Sequence, residues 1–134
     1  MSQVVTRYDG GQHCTASDAA KGKAVAMDCP YTGKGEELSP GNLLEAAVAG
    51  CMLISMGPMA AREGIDLSGA SISVDVKGTP PPKIDYTALD IDVQMPAGLT
   101  AIQRTKLERA AETCPIKHSF KDEISVSVTY HYPD

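Results

Sequence analysis

From Ala46 to Ala61 the chain carries no charged residue. That run is interrupted by Gly50, Gly57 and Pro58 and is shorter than the roughly 20 residues a bilayer crossing requires, so it reads as a core helix rather than a membrane span. Ser39-Pro40 marks its start, since Ser39 can cap and Pro40 suits the first helical position. One long helix is predicted from Gly41 to about Glu63. Leu43, Leu44, Ala47, Val48, Cys51, Met52 and Ile54 make most of its circumference apolar, and such a helix is buried nearly all round. Pro58 removes a backbone donor and crowds the carbonyl of Ile54, so a bend is expected at Gly57-Pro58. Gly64 is the expected stop.

The rest of the chain must supply cover for this helix. Asp9-Gly10 signals a tight turn between strands at Val4–Tyr8 and Gln12–Ser17, and Lys21-Gly22 a second turn into a strand at Lys23–Asp28. Residues 29–39 read as loop. Beyond the helix, Ile72, Val74 and Val76 alternate with polar residues, as do Leu89, Ile91, Val93 and Met95. Ile84 and Tyr86 are out of phase with Leu89, which requires a bulge near Thr87-Ala88. Thr100 and Gln103 form a capping-box pattern opening a second helix, with Leu107, Ala110, Ala111 and Cys114 on its apolar face. Pro115 interrupts it, Ile116 to Phe120 can form one more turn, and Glu123–Tyr132 closes the chain as a strand. The order β-β-β-α-β-β-α-β makes residues 1–134 one α+β domain. Six strands and one short helix cover the long helix poorly, so a homodimer is expected.

The formal charge of −5 argues against nucleic acid as a partner, because phosphate backbones call for a basic face. The opening Met1-Ser2-Gln3-Val4-Val5-Thr6-Arg7 has no basic start followed by an apolar run, so a cytoplasmic location is expected and a membrane partner is not. In that reducing compartment Cys14, Cys29, Cys51 and Cys114 are thiols, catalytic groups or metal ligands rather than staples.

Cys51, in the middle of the apolar helix, is either a small gap-filling side chain or a nucleophile. Cys114 stands at the junction of two helical segments, where backbone donors favour thiolate and Lys117 and His118 can assist; a passive buried thiol is the alternative. Cys14 and Cys29 have no basic residue in a defined helical relation to them and read as passive. Cys114 and His118 could both face one metal ion, but no Cys-x-x-Cys or His-Glu-x-x-His is present, so no metal is expected. With no phosphate loop, Gly-x-Gly-x-x-Gly or Gly-x-Ser-x-Gly, no cofactor and no serine nucleophile are expected either.

The segment Ser39-Pro40-Gly41-Asn42-Leu43-Leu44-Glu45-Ala46-Ala47-Val48-Ala49-Gly50-Cys51 resembles the long-helix motif of the OsmC/Ohr family. Cys114-Pro115-Ile116-Lys117-His118-Ser119 resembles that family's second motif, a Cys-Pro-Val/Ile turn. The resemblance implies an OsmC-like fold and an intertwined homodimer with its sites at the interface. It also implies a thiol peroxidase acting on organic hydroperoxides: Cys51 attacks the peroxide, becomes a sulfenic acid and condenses with Cys114 to a disulfide that a dithiol reductant reopens. Two positions depart from the motif. The family's hydroperoxide reductases carry an Arg just after the first turn, where this chain has Gly10-Gly11-Gln12-His13, and a Glu after the Ser/Asn-Pro pair, where it has Gly41. Glu45, Glu36 or Glu37 could replace the carboxylate, and Arg7 or Arg62 the cation. The alternative function is a non-catalytic dimeric module of the same fold that binds a small apolar ligand at the dimer interface.

Overall fold

The computed structural model describes residues 3–134, which divide into two compact units on either side of Leu44-Glu45. The first contains an antiparallel meander of β1 (Val5–Gly10), β2 (His13–Asp18) and β3 (Lys23–Asp28), in that order. The β1–β2 turn falls two residues later than the Asp9-Gly10 signal suggests. Gly10, Gly11 and Gln12 all take positive φ (93°, 63° and 64°), and the register slips between Tyr8 and Gly10. Two glycines in succession allow β1 to continue into Gly10 before the chain reverses. Beyond β3, the Asp28 carboxylate accepts the N–H groups of Glu36 and Glu37 at 2.9 and 3.2 Å. Asp28 thereby ties down the loop that contains Cys29.

The long helix α1 (Pro40–Arg62) begins with a reciprocal cap: Asn42 N–H donates to Ser39 Oγ at 3.0 Å, and Ser39 N–H to Asn42 Oδ1 at 3.1 Å. The pair satisfies donors that the first turn would otherwise leave open. At the other end Gly64 takes φ +65°. Ile65 N–H then reaches the Ala60 carbonyl at 2.8 Å and Gly64 N–H the Ala61 carbonyl at 3.3 Å, the paired bonds of a Schellman stop. The helix continues through Pro58.

The second unit also holds β4 (Ser71–Gly78), β5 (Tyr86–Gln94), α2 (Ala101–Ala111), a 3-10 turn (Lys117–Ser119) and β6 (Ser125–His131). The sheet order is β4-β5-β6, with β4 antiparallel and β6 parallel to β5. A parallel neighbour requires a crossover, and α2 with the 3-10 turn provides it. Lys77 pairs with Ala88 and Gly78 with Tyr86, leaving Thr87 as the extra residue of the bulge that the phase change calls for. α2 opens on the Thr100–Gln103 capping box.

One core joins Val48, Met52, Met56 and Ala60 of α1 to Leu89, Ile91, Val93, Met95, Leu107, Ala111 and Cys114. The α1 residues are spaced by four, so they form a single stripe. Here the expectation of burial all round is corrected for the single chain: Ile54 is 77% exposed and Ala46, Ala47 and Pro58 are exposed too. The most apolar 18-residue stretch of α1 has a mean hydropathy of 1.6, so the 23-residue helix has the length and composition of a membrane span, yet its Val48–Ala60 stripe lies in the protein core.

Candidate active site

Cys51 lies on α1 beside the buried stripe, one residue before Met52, and is half-buried. The connection that follows α2 brings Cys114 to it. α2 ends at Ala111, three residues short of the cysteine that its apolar periodicity includes. The physical reason is Pro115, which disfavours helical geometry at Cys114 and whose ring would crowd the Ala111 carbonyl. Cys114 N–H instead donates to the Ala111 carbonyl at 3.2 Å, and the chain enters the 3-10 turn. Lys117 N–H donates to Cys114 Sγ at 3.4 Å and His118 N–H to the Cys114 carbonyl at 3.3 Å. Cys114 is thus fixed like a helix cap, with no exposed surface.

The two cysteines, distant in sequence, interact through their side chains, and they titrate in opposite senses. Hydrogen bonding with the Cys114 thiol lowers the Cys51 pKa below the ordinary thiol value, helped by the Ile116 backbone N–H and the Ser55 hydroxyl and opposed by burial. Burial raises the pKa of Cys114, and the interaction with Cys51 raises it further, against the Lys117 and Ile116 N–H groups. The pair therefore holds its first negative charge on Cys51 and its remaining proton on Cys114. This reverses the expectation that helical backbone donors would favour thiolate at Cys114. Two donors are present, but complete burial outweighs them. Lys117 and His118 do not assist either: the Lys117 ammonium is on Glu112 at 2.7 Å and the His118 ring meets the Glu112 carbonyl.

Arg62 cannot stand in for a missing cation, since it lies three helical turns beyond Cys51, about 16 Å along the axis. Within residues 45–134, none of the groups that shift Cys51 is a cation. The donor that sequence reasoning missed is Ser55. Its signal was available: it is the one side chain with an oxygen atom between Ala46 and Ala61, and it follows Cys51 by four residues.

Cys14 and Cys29 lie in the first unit. Cys14 sits in β2 opposite Tyr8 and Met27. Cys29 is not the passive thiol expected. Its pKa is lowered to about 7 by the Thr32 hydroxyl, then by backbone N–H groups of Thr32, Tyr31 and Gly33, with Thr32 N at 3.5 Å from Sγ. A loop of N–H donors needs no basic side chain to stabilise a thiolate. Among the described residues, no three His, Cys, Asp or Glu side chains gather as a metal site would require.

The model of the family described as OsmC-like protein matches residues 33–129, from the loop before α1 through most of β6. The chain belongs to the OsmC family. No curated protein matches it. Among solved structures, this OsmC-like chain is similar to a Psychrobacter arcticus protein named for an osmotic stress and detoxification response, at 26% identity and a TM-score of 0.87, covering 98% of this chain and 96% of that one. It is similar in fold to the organic hydroperoxide resistance protein OsmC of Legionella pneumophila, at 18% identity and a TM-score of 0.67, covering 96% of each chain. An organic hydroperoxide resistance protein of Bacillus subtilis aligns at 16% identity and a TM-score of 0.69, covering 98% of both.

Proposed function

We propose that this OsmC-like protein is a thiol peroxidase that reduces organic hydroperoxides, with Cys51 as the attacking thiol and Cys114 as the resolving one. The observation that carries the reading is the Cys51–Cys114 pair itself: a half-buried thiol biased toward thiolate beside a buried thiol biased toward the protonated form. Relatives named for organic hydroperoxide resistance share the fold and support the substrate class.

The chemistry follows from where the proton sits. Cys51 thiolate attacks the terminal oxygen of ROOH, the O–O bond breaks, and Cys51 becomes a sulfenic acid while RO⁻ leaves. The Cys114 thiol protonates that alkoxide and becomes the thiolate. It then attacks the Cys51 sulfur, forming the disulfide and expelling hydroxide, which is neutralised to water by the proton that Cys51 released to solvent when it ionised. Two electrons have passed from the two thiols to the peroxide. Returning the disulfide to two thiols takes two electrons and two protons from a dithiol reductant, which fits a reducing cytoplasm. Cys51 packs against the same apolar core as Leu53, Met59, Ile116 and Phe120, surroundings that suit an alkyl rather than a strongly polar peroxide. The protein acts as a homodimer, the second copy covering the apolar surface that a single α1 leaves exposed.

The test is peptide mapping after stoichiometric treatment with cumene hydroperoxide. A Cys51–Cys114 disulfide within one chain is expected. Recovery of a Cys14–Cys29 bridge, or of four unmodified thiols, would overturn the reading.

A further inference from the structure

Glu112 and Lys117 are five residues apart, and on an uninterrupted α-helix they would sit about 140° apart round the axis and not meet. They meet because the helix ends before Pro115: the Lys117 ammonium lies 2.7 Å from Glu112 Oε2. The carbonyl of the same Glu112 receives the His118 ring. One residue at the end of α2 thus holds the side chains of two residues on the far side of the turn. The segment enclosed, residues 113–116, is the one that carries the thiol. From beyond it, Lys117 N–H reaches Cys114 Sγ at 3.4 Å and His118 N–H reaches the Cys114 carbonyl at 3.3 Å. The two partners of the ion pair are unequally exposed. The Lys117 side chain is 14% exposed and that of Glu112 44%. An ammonium so far withdrawn from water is costly without its counter-ion, whereas the carboxylate stays hydrated in either case.

We propose that Glu112 is a positioning residue for Cys114: by neutralising the Lys117 ammonium it keeps the turn closed round the thiol and holds the sulfur where Cys51 can engage it. This rests on the reading of Cys51 and Cys114 as a reacting pair. Without Glu112 the ammonium must return to water, and the Lys117 backbone turns with it, carrying its N–H away from Cys114 Sγ. A sulfur on a loosened turn spends part of its time away from Cys51, so the effective concentration of one thiol at the other falls. Glu112 acts through Lys117. Its effect should therefore vanish when position 117 carries no charge.

The experiment equilibrates the full-length protein with mixtures of reduced and oxidised glutathione and maps the Cys51–Cys114 disulfide by peptide mass. In that exchange the two protein thiols pass two electrons and two protons to glutathione disulfide, which becomes two glutathione thiols, and no peroxide is needed. Glu112→Ala should lower the ratio of disulfide to dithiol roughly fivefold in a given buffer, the loss of an ion pair between the exposed and the buried limits. Adding Lys117→Met, which leaves an apolar side chain and no charge, should recover most of that loss. A merely structural loss of the Glu112 side chain would not be repaired by a second substitution at Lys117. Consumption of cumene hydroperoxide is followed in parallel. A ratio unmoved or raised in Glu112→Ala, or one that Lys117→Met fails to restore, overturns the role of Glu112 and, with peroxide still consumed, leaves the peroxidase reading standing. A ratio that falls and recovers as expected in chains that consume no peroxide supports Glu112 and overturns the peroxidase reading. An unaltered chain that forms no Cys51–Cys114 disulfide in the buffer overturns both.

Discussion

Lys117 gives its backbone N–H to the Cys114 sulfur at 3.4 Å while its side-chain ammonium turns away to Glu112 at 2.7 Å. The Cys114 thiol is therefore oriented by a peptide group and is not ionised by the Lys117 ammonium. Burial dominates its titration and favours the protonated form.

The division of labour proposed for Cys51 and Cys114 can be exposed by substitution. Cys51→Ser should abolish peroxide consumption, since an un-ionised hydroxyl is a poor attacker of the O–O bond. Cys114→Ser should retain the first attack and then stall. Sulfenic acid on Cys51 should accumulate and pass to sulfinic acid in excess peroxide, a single burst without later cycles, read by stopped-flow peroxide loss and by dimedone trapping. Equal loss of the burst in both variants would remove the assignment.

Cys29 should be the decoy in any labelling experiment. With its pKa at about 7, its thiolate is half formed at neutral pH, so it should alkylate well ahead of Cys14 in the native protein. The folded value lies below the ordinary value of 9.0, so the fold favours the deprotonated form. The stability it contributes is fully present above pH 9, and it falls away as pH drops through about 7. Cys29→Ala should therefore flatten the pH dependence of urea unfolding between those limits, and Thr32→Ala should slow alkylation of Cys29.

Three terminal devices of the helices are separable by mutation. Ser39→Ala removes the acceptor for Asn42 N–H, and Thr100→Ala removes the acceptor for Gln103 N–H; each should cost about 1 kcal/mol. Gly64→Ala forces a Cβ into φ +65° and should cost about 1 kcal/mol as well. Urea midpoints measured at fixed protein concentration check all three.

These caps were legible because each is a local rule with a residue signature: Ser before Pro, Thr three before Gln, Gly after the last apolar turn. The Thr87 bulge was legible for a similar reason, because Tyr86 and Leu89 cannot share a face without one extra residue between the strands. The site was legible only in part. Cys51 and Cys114 stand out in the sequence, but which of them keeps the proton depends on burial, and burial is set by residues far from both. Cys29 was hidden because its donors are the Thr32 hydroxyl and peptide N–H groups of its own loop, none of them a basic side chain. Helix periodicity carried α2 to Cys114, and the competing rule, the restriction on a residue before proline, ended it three residues earlier.

The expectation for α1 was burial on every side, and the single chain buries one stripe. The difference bears on what covers the remaining face of α1. Ile54 projects opposite the Val48–Met52–Met56–Ala60 stripe with 77% of its surface exposed, in a charge-free run with Gly50, Gly57 and Ala61 on its own side of the helix. One exposed isoleucine is ordinary; one at the centre of sixteen uncharged residues on a helix is an apolar face awaiting cover. Fully burying that side chain against a second copy is worth roughly 2 kcal/mol per protomer. Ile54→Lys would instead set an ammonium at the same place in both protomers, adding like-charge repulsion to the lost burial. Sedimentation equilibrium at micromolar concentration should therefore give a dimer for the unaltered chain and a monomer, or a poorly folded chain, for Ile54→Lys. Ile54→Leu, similar in volume and still apolar, should remain dimeric. A folded monomer of the unaltered chain at that concentration would sink the homodimer.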